Sequence, residues 1–321
     1  MLQFGFIGLG SGAAAALLFA SVTSGTALSI PLAYLAPLPI MIAALGWSHW
    51  VALAGALIGA FAIWLFFGTL FSVGFLAGIG LPGWWLGYLT MLARPSGNGE
   101  AASLEWYPPG RLVIWAAALA TALVLLTIMM VGFGADEFRE ALRAALREVF
   151  RAAATEAGPS GPATLRSPDR LIDLLVVALP PATAVMGLIT DILNLWLAGR
   201  IVRFSGRLTR PWPLLSEMTF PPLTTAALGA AIALSFVDGI LGIVATVIAS
   251  ALLMAYGVLG FAVMHSITRG MTSRGFILAG VYASVMIFGW PVLALCLLGL
   301  SETFFHFRAR AAVKRGPPAS T

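Results

Sequence analysis

Apolar residues run almost without interruption from Met1 to Leu92, and no Asp, Glu, Lys or Arg occurs before Arg94. At ~20 residues per crossing of a ~30 Å hydrocarbon layer, this stretch predicts about four helices. Polar breaks divide it into spans near 4–22, 28–46, 49–67 and 69–92. Thr23-Ser24-Gly25-Thr26 is the kind of cluster that turns a chain, and Gly46-Trp47-Ser48-His49 places Trp and His where an interfacial layer suits them. The first residues lack a basic region and the apolar run simply continues, so no cleavable signal peptide is expected.

Residues 93–110 read as a polar loop and 111–133 as a fifth span. The pattern then changes. Over 135–157, Phe138, Leu142, Leu146, Val149 and Phe150 share one face, while Arg139, Arg143, Arg147 and Arg151 recur every four residues on another. This predicts an amphipathic helix on the membrane surface or against neighbouring spans, followed by a Gly/Pro/Ser linker from Gly158 to Pro168. Six acids balance six arginines between Gly134 and Arg170, which excludes a polybasic lipid anchor. Span six covers 171–198 and leads into a basic loop with Arg200, Arg203, Arg207 and Arg210. Span seven (220–237), an Asp238-Gly239 turn, span eight (240–264) and a short loop with Arg269 and Arg274 follow. Residues 275–305 are apolar for about 31 positions, too long for one level crossing and short for two. Gly289-Trp290-Pro291 either kinks this run or turns it back.

The expected fold is therefore all-α: a polytopic helical membrane protein with about nine transmembrane helices (8–10) and one amphipathic surface helix. It divides into an N-terminal bundle (1–133), the amphipathic helix and linker (134–169), a C-terminal bundle (170–307) and a basic tail (308–321). Composition agrees, since 60% of the 321 residues are hydrophobic and 10% are charged, which excludes a soluble globule. A porin-like barrel is excluded because the apolar runs do not alternate. The net charge of +5 is carried by Arg, Lys314 being the only lysine, and this usage with abundant Ala and Gly resembles a protein of a GC-rich bacterial genome, so the expected location is the bacterial inner membrane. The basic residues sit between apolar runs, where orientation explains them, so nucleic acid is not an expected partner. With the N-terminus inside, the loops at 93–110, 199–218 and 265–274 are inside and 134–170 is outside. The tail, with Arg308, Arg310, Lys314 and Arg315, disagrees if 275–305 is a single crossing.

Chemistry-bearing motifs are sparse. Gly8-Leu9-Gly10-Ser11-Gly12-Ala13 lacks the strand before it and the acid about 20 residues later that a dinucleotide turn needs. Gly8/Gly12, Gly55/Gly59, Gly74/Gly78 and Gly83/Gly87 instead have the spacing that lets helix backbones approach, and predict a tightly packed N-terminal bundle. No phosphate-binding loop motif occurs, so any use of ATP falls to a partner. The single Cys296 reads as an apolar filler, and His49, His265 and His306 are dispersed at predicted interfaces, so no metal or cofactor is expected. Asp238 reads as a turn residue and Glu302 as an end-of-span charge. Asp191 and Asn194 are different: they lie three residues apart on one face of span six, inside an apolar stretch. Polar groups there either bind a ligand or brace the fold, through an Arg of the 200–210 loop or helix–helix hydrogen bonds. They are the candidate ligand-binding residues.

Three segments carry a family resemblance: Pro31-Leu-Ala-Tyr-Leu-Ala-Pro37-Leu-Pro39, Gly80-Leu81-Pro82-Gly83 ahead of Gly87, and Leu298-Gly299-Leu300-Ser301-Glu302 ending in Phe305-His306-Phe307-Arg308. With Asn194 and the basic run after it, their order resembles a family of bacterial integral membrane proteins grouped under a domain of unknown function. That family is distantly similar to the substrate-binding components of energy-coupling-factor vitamin transporters. The 135–157 segment has no counterpart in those six-helix components. The resemblance implies a membrane-embedded small-molecule binding or transport subunit, not an enzyme, powered by separate ATPase and coupling chains. Its alternative is a structural or assembly protein of the cell envelope.

Overall fold

A computed structural model describes residues 2–96, 103–132, 134–158, 168–214 and 217–315. Helix α1 (Leu2–Ala20) ends where the polar cluster predicts: the Ser21 and Thr23 hydroxyls donate back to the Leu18 and Ala20 carbonyls, and Gly25 takes a φ of 65°. The second predicted span is two helices, α2 (Ser29–Tyr34) and α3 (Pro37–Gly46). Pro37 has no N–H to give to the preceding turn. The Leu38 N–H bonds Leu35, so the Tyr34 carbonyl is left without a donor from its own helix. Helix α4 (His49–Phe67) starts at Ser48, whose Oγ accepts the Trp50 N–H. The fourth span is α5 (Thr69–Phe75), a π-helical turn (Leu76–Gly80) and α6 (Leu81–Thr90).

The predicted 93–110 loop contains a small antiparallel hairpin, β1 (Ala93–Ser96) and β2 (Ser103–Trp106), with Arg94 opposite Glu105 and their side chains 2.8 Å apart. Strands of four residues carry too little alternation to be read as such. Helices α7 (Pro109–Val131) and α8 (Ala135–Ala157) match their predicted segments. Helix α8 rests on α9 (Asp169–Phe204), where the Arg143 guanidinium meets Asp173 at 3.0 Å. Helix α9 has 36 residues, about 54 Å at 1.5 Å per residue. It therefore continues past the predicted end at 198, and Arg200 and Arg203 ride on its last turns and not in a loop.

Helix α10 (Leu223–Leu234) is shorter than the predicted 220–237 span, because Pro221 and Pro222 delay its start and the Ser235 hydroxyl turns back to Ile232. Helix α11 (Ile240–Ile267) follows Gly239, at φ 86°. The 275–305 run forms α12 (Arg274–Phe288) and α13 (Val292–Phe305), and α14 (Phe307–Arg315) follows. Tyr282 of α12 stacks on Phe261 at 5.2 Å, whereas Cys296 and Gly299 of α13 lie against Gly257 and Gly260 of the same helix. A straight helix would carry Tyr282 and Gly299 about 25 Å apart. Both touch the last turns of α11, so the run doubles back at Gly289-Trp290-Pro291. The tail helix that follows packs against α11.

Among the described residues, seven helical segments are long and apolar enough to cross a membrane, and α10, α12 and α13 are shorter apolar helices. One buried core joins α1, α3, α4 and α5 through Ala15, Ile40, Ala56 and Phe75, and a second joins α7, α9 and α11 through Ala116, Leu188 and Tyr256. Helix α3 serves both cores, Ile40 facing one and Met41 the other. The glycine spacing has its predicted effect at the α1–α4 crossing, where a Cβ on Gly12 would run into the Gly55 carbonyl. Gly74 is an exception, facing open space. Close approach also extends beyond the N-terminal spans: a Cβ on Gly260 would meet the Leu295 carbonyl, and one on Gly299 the Tyr256 carbonyl.

Candidate functional site

One face of α9 carries Thr183, Gly187, Thr190, Asp191 and Asn194. Asp191 is 4% exposed and Asn194 2%, so both point into the bundle. Opposite them stands the break between α2 and α3. The Tyr34 carbonyl freed by Pro37 accepts a hydrogen bond from the Asn194 amide at 2.7 Å, and the same Nδ2 donates to the Thr190 carbonyl at 2.8 Å. Both amide hydrogens are thus spent, and the buried Oδ1 has no donor among the described residues.

Asp191 lies beside a cleft of about 490 Å³. Its walls come from α1, α2, α3, α5, α7 and α9, with Phe19, Tyr34, Ile79, Leu123 and Met186 among the apolar and aromatic residues that line it. Thr183 also faces it, but its hydroxyl is bonded to the Leu179 carbonyl. Asn194 does not line the cleft; it braces Tyr34, which does. Among the described residues no hydrogen bond or ion pair reaches the Asp191 carboxylate. Phe19, Ile79 and Met186 carry no sequence signal of their own, because they read as ordinary span residues, whereas Gly74, Gly78 and Pro37 belong to the glycine and proline patterns of the sequence. A Pro-interrupted span such as that at Pro37 frees backbone groups that a neighbour must satisfy.

The arginines predicted as partners for Asp191 are turned elsewhere. The Arg200 guanidinium lies 5.8 Å from the Trp196 ring and 5.9 Å from that of Trp212, and Arg203 lies 5.4 Å from Trp212. Arg207 covers Trp47 at 4.7 Å. Arg210 is 7% exposed and donates to the Thr90 and Tyr107 carbonyls at 2.7 and 2.8 Å, tying the end of α6 to the hairpin. Burial lowers the Arg210 pKa, and the two carbonyls solvate its charge.

The remaining polar positions are separate from the cleft. His49 meets the rings of Trp50 and Tyr88, His265 bonds the Phe261 carbonyl, and His306 takes a left-handed φ of 50° between α13 and α14. Glu302 does more than end a span: its carboxylate meets Arg308 at 2.8 Å, with both side chains buried.

Among the described residues, seven apolar helical segments of membrane length around two buried cores define the class, a multi-pass all-α membrane protein. Within that class, the chain belongs to the family described as predicted membrane protein (DUF2232), whose model matches residues 13–300. No curated protein and no solved structure matches it.

Proposed function

We propose that the chain is a small-molecule binding or transport subunit of a bacterial inner membrane, with Asp191 contacting the ligand and Asn194 shaping its site. The observation behind this reading is a buried carboxylate, without a partner among the described residues, beside a cleft of about 490 Å³. An ionisable group costs several kcal/mol within a membrane unless it faces protein, water or a ligand, and pockets of ~300–1,000 Å³ are typical for small molecules. The family resemblance points the same way, through the substrate-binding components of vitamin transporters. On this reading the role is binding, not catalysis, and energy comes from separate ATPase and coupling chains.

The test is to purify the full chain in mild detergent and identify co-purifying small molecules and chains by mass spectrometry. The expected result is a small molecule retained by the native chain and lost from Asp191→Asn, with nearly equal melting temperatures. If Asp191 merely braces the fold, the substitution lowers the melting temperature and no small molecule is carried by either protein.

A further inference from the structure

Resting on that reading, we propose that the ligand is an organic cation: a protonated amine at one end and an apolar body at the other. At the polar end of the cleft the Thr190 hydroxyl can donate, but among the described residues no positive charge faces Asp191. The Asp191 carboxylate only accepts while ionised, and its neighbour Asn194 has both amide hydrogens committed to the Tyr34 and Thr190 carbonyls. The Thr183 hydroxyl is likewise committed, to Leu179. The arginines that follow on the chain cover indoles or bond carbonyls, so none brings positive charge to Asp191.

A ligand bearing N–H donors and a positive charge supplies the charge that this end lacks, because a buried carboxylate is tolerated when paired and hydrogen-bonded. The rest of the cleft specifies the rest of the molecule. Its volume of about 490 Å³ far exceeds a bare ion, and Phe19, Tyr34, Ile79 and Met186 present apolar and aromatic surface. Aromatic faces also attract an ammonium group. Two sources share this chemistry: a free amine and the ammonium headgroup of phosphatidylethanolamine.

The experiment uses the full chain in nanodiscs of phosphatidylglycerol, which contains no amine, and three probes of one shape: 2-phenylethylamine, 2-phenylethanol and phenylacetate. Calorimetry should show binding of the amine, with the alcohol roughly tenfold or more weaker and the acid not bound. Asp191→Asn should remove the preference for the amine, lowering its affinity roughly tenfold to a hundredfold. Repeating the titration in discs containing phosphatidylethanolamine separates the sources. Weaker amine binding there by the native chain alone assigns the lipid headgroup, whereas unchanged binding assigns a free amine. Equal binding of amine and alcohol, or a preference that survives Asp191→Asn, overturns the cation while leaving a binding protein. The same holds if none of the probes binds and the co-purifying molecule is neutral or acidic. If none binds and nothing small co-purifies, the binding reading falls with it. The probe series on the native chain decides the matter even if the variant does not fold.

Discussion

Gly10 and Gly12 differ by two positions on one helix, and alanine should act on them in opposite directions. A Cβ on Gly12 would meet the Gly55 carbonyl oxygen, with the Gly55 carbonyl carbon and the Gly59 nitrogen both 3.1 Å away. All three are backbone atoms of α4 that cannot rotate aside, so α1 and α4 must separate. Overpacking of this kind costs about 1–3 kcal/mol. A radial gap of ~0.5–1 Å also forfeits a quarter to a half of each dispersion contact. Ala15 and Ala16 of α1 and Ala52 and Ala56 of α4 lie in the same buried cluster and share that loss. We therefore expect Gly12→Ala to destabilise by about 2–3 kcal/mol. At Gly10 a Cβ meets nothing within 4 Å, so alanine contributes only its helix preference, at most about 1 kcal/mol in the stabilising direction. The pair differs by about 2–4 kcal/mol and should melt roughly 4–16 °C apart by tryptophan fluorescence in detergent, using ~2–4 °C per kcal/mol. Equal melting temperatures, or a Gly12→Ala protein as stable as the native chain, would refute the close-packed α1–α4 crossing.

Arg210→Met removes both donors to Thr90 and Tyr107 and should lower stability by about 3 kcal/mol, while Arg210→Lys should lose less; thermal unfolding of the two variants checks the order. Glu302→Gln leaves the buried Arg308 without its carboxylate and should cost about 3–5 kcal/mol. The readout is Cys296, a free thiol that is 2% exposed on the same helix, which should react with a thiol dye at a lower temperature than in the native chain. For orientation, Ser205→Cys should resist a membrane-impermeant thiol reagent in intact cells, whereas Thr155→Cys on α8 should label before lysis. The reverse pattern would invert the topology.

Periodicity and hydropathy determine the local features of this chain. The spans, the amphipathic helix at 135–157 and the glycine stripes follow from which residues tolerate hydrocarbon, a property of each segment alone. The same patterns cannot say what a span faces, because lipid and a protein core are equally apolar. Phe75 is fully buried and Phe276 is 86% exposed, yet both sit in similar apolar runs. Likewise, the sequence placed Asp191 and Asn194 on one face and left open whether arginines would pair with them. Tertiary structure decided that, by turning the arginines onto Trp47, Trp196 and Trp212 and bringing the Tyr34 carbonyl to Asn194 across 160 positions of chain. Pro37 leaves that carbonyl unpaired, but only the packing of α3 against α9 puts an amide within reach of it, and only the surrounding helices leave a cleft beside Asp191.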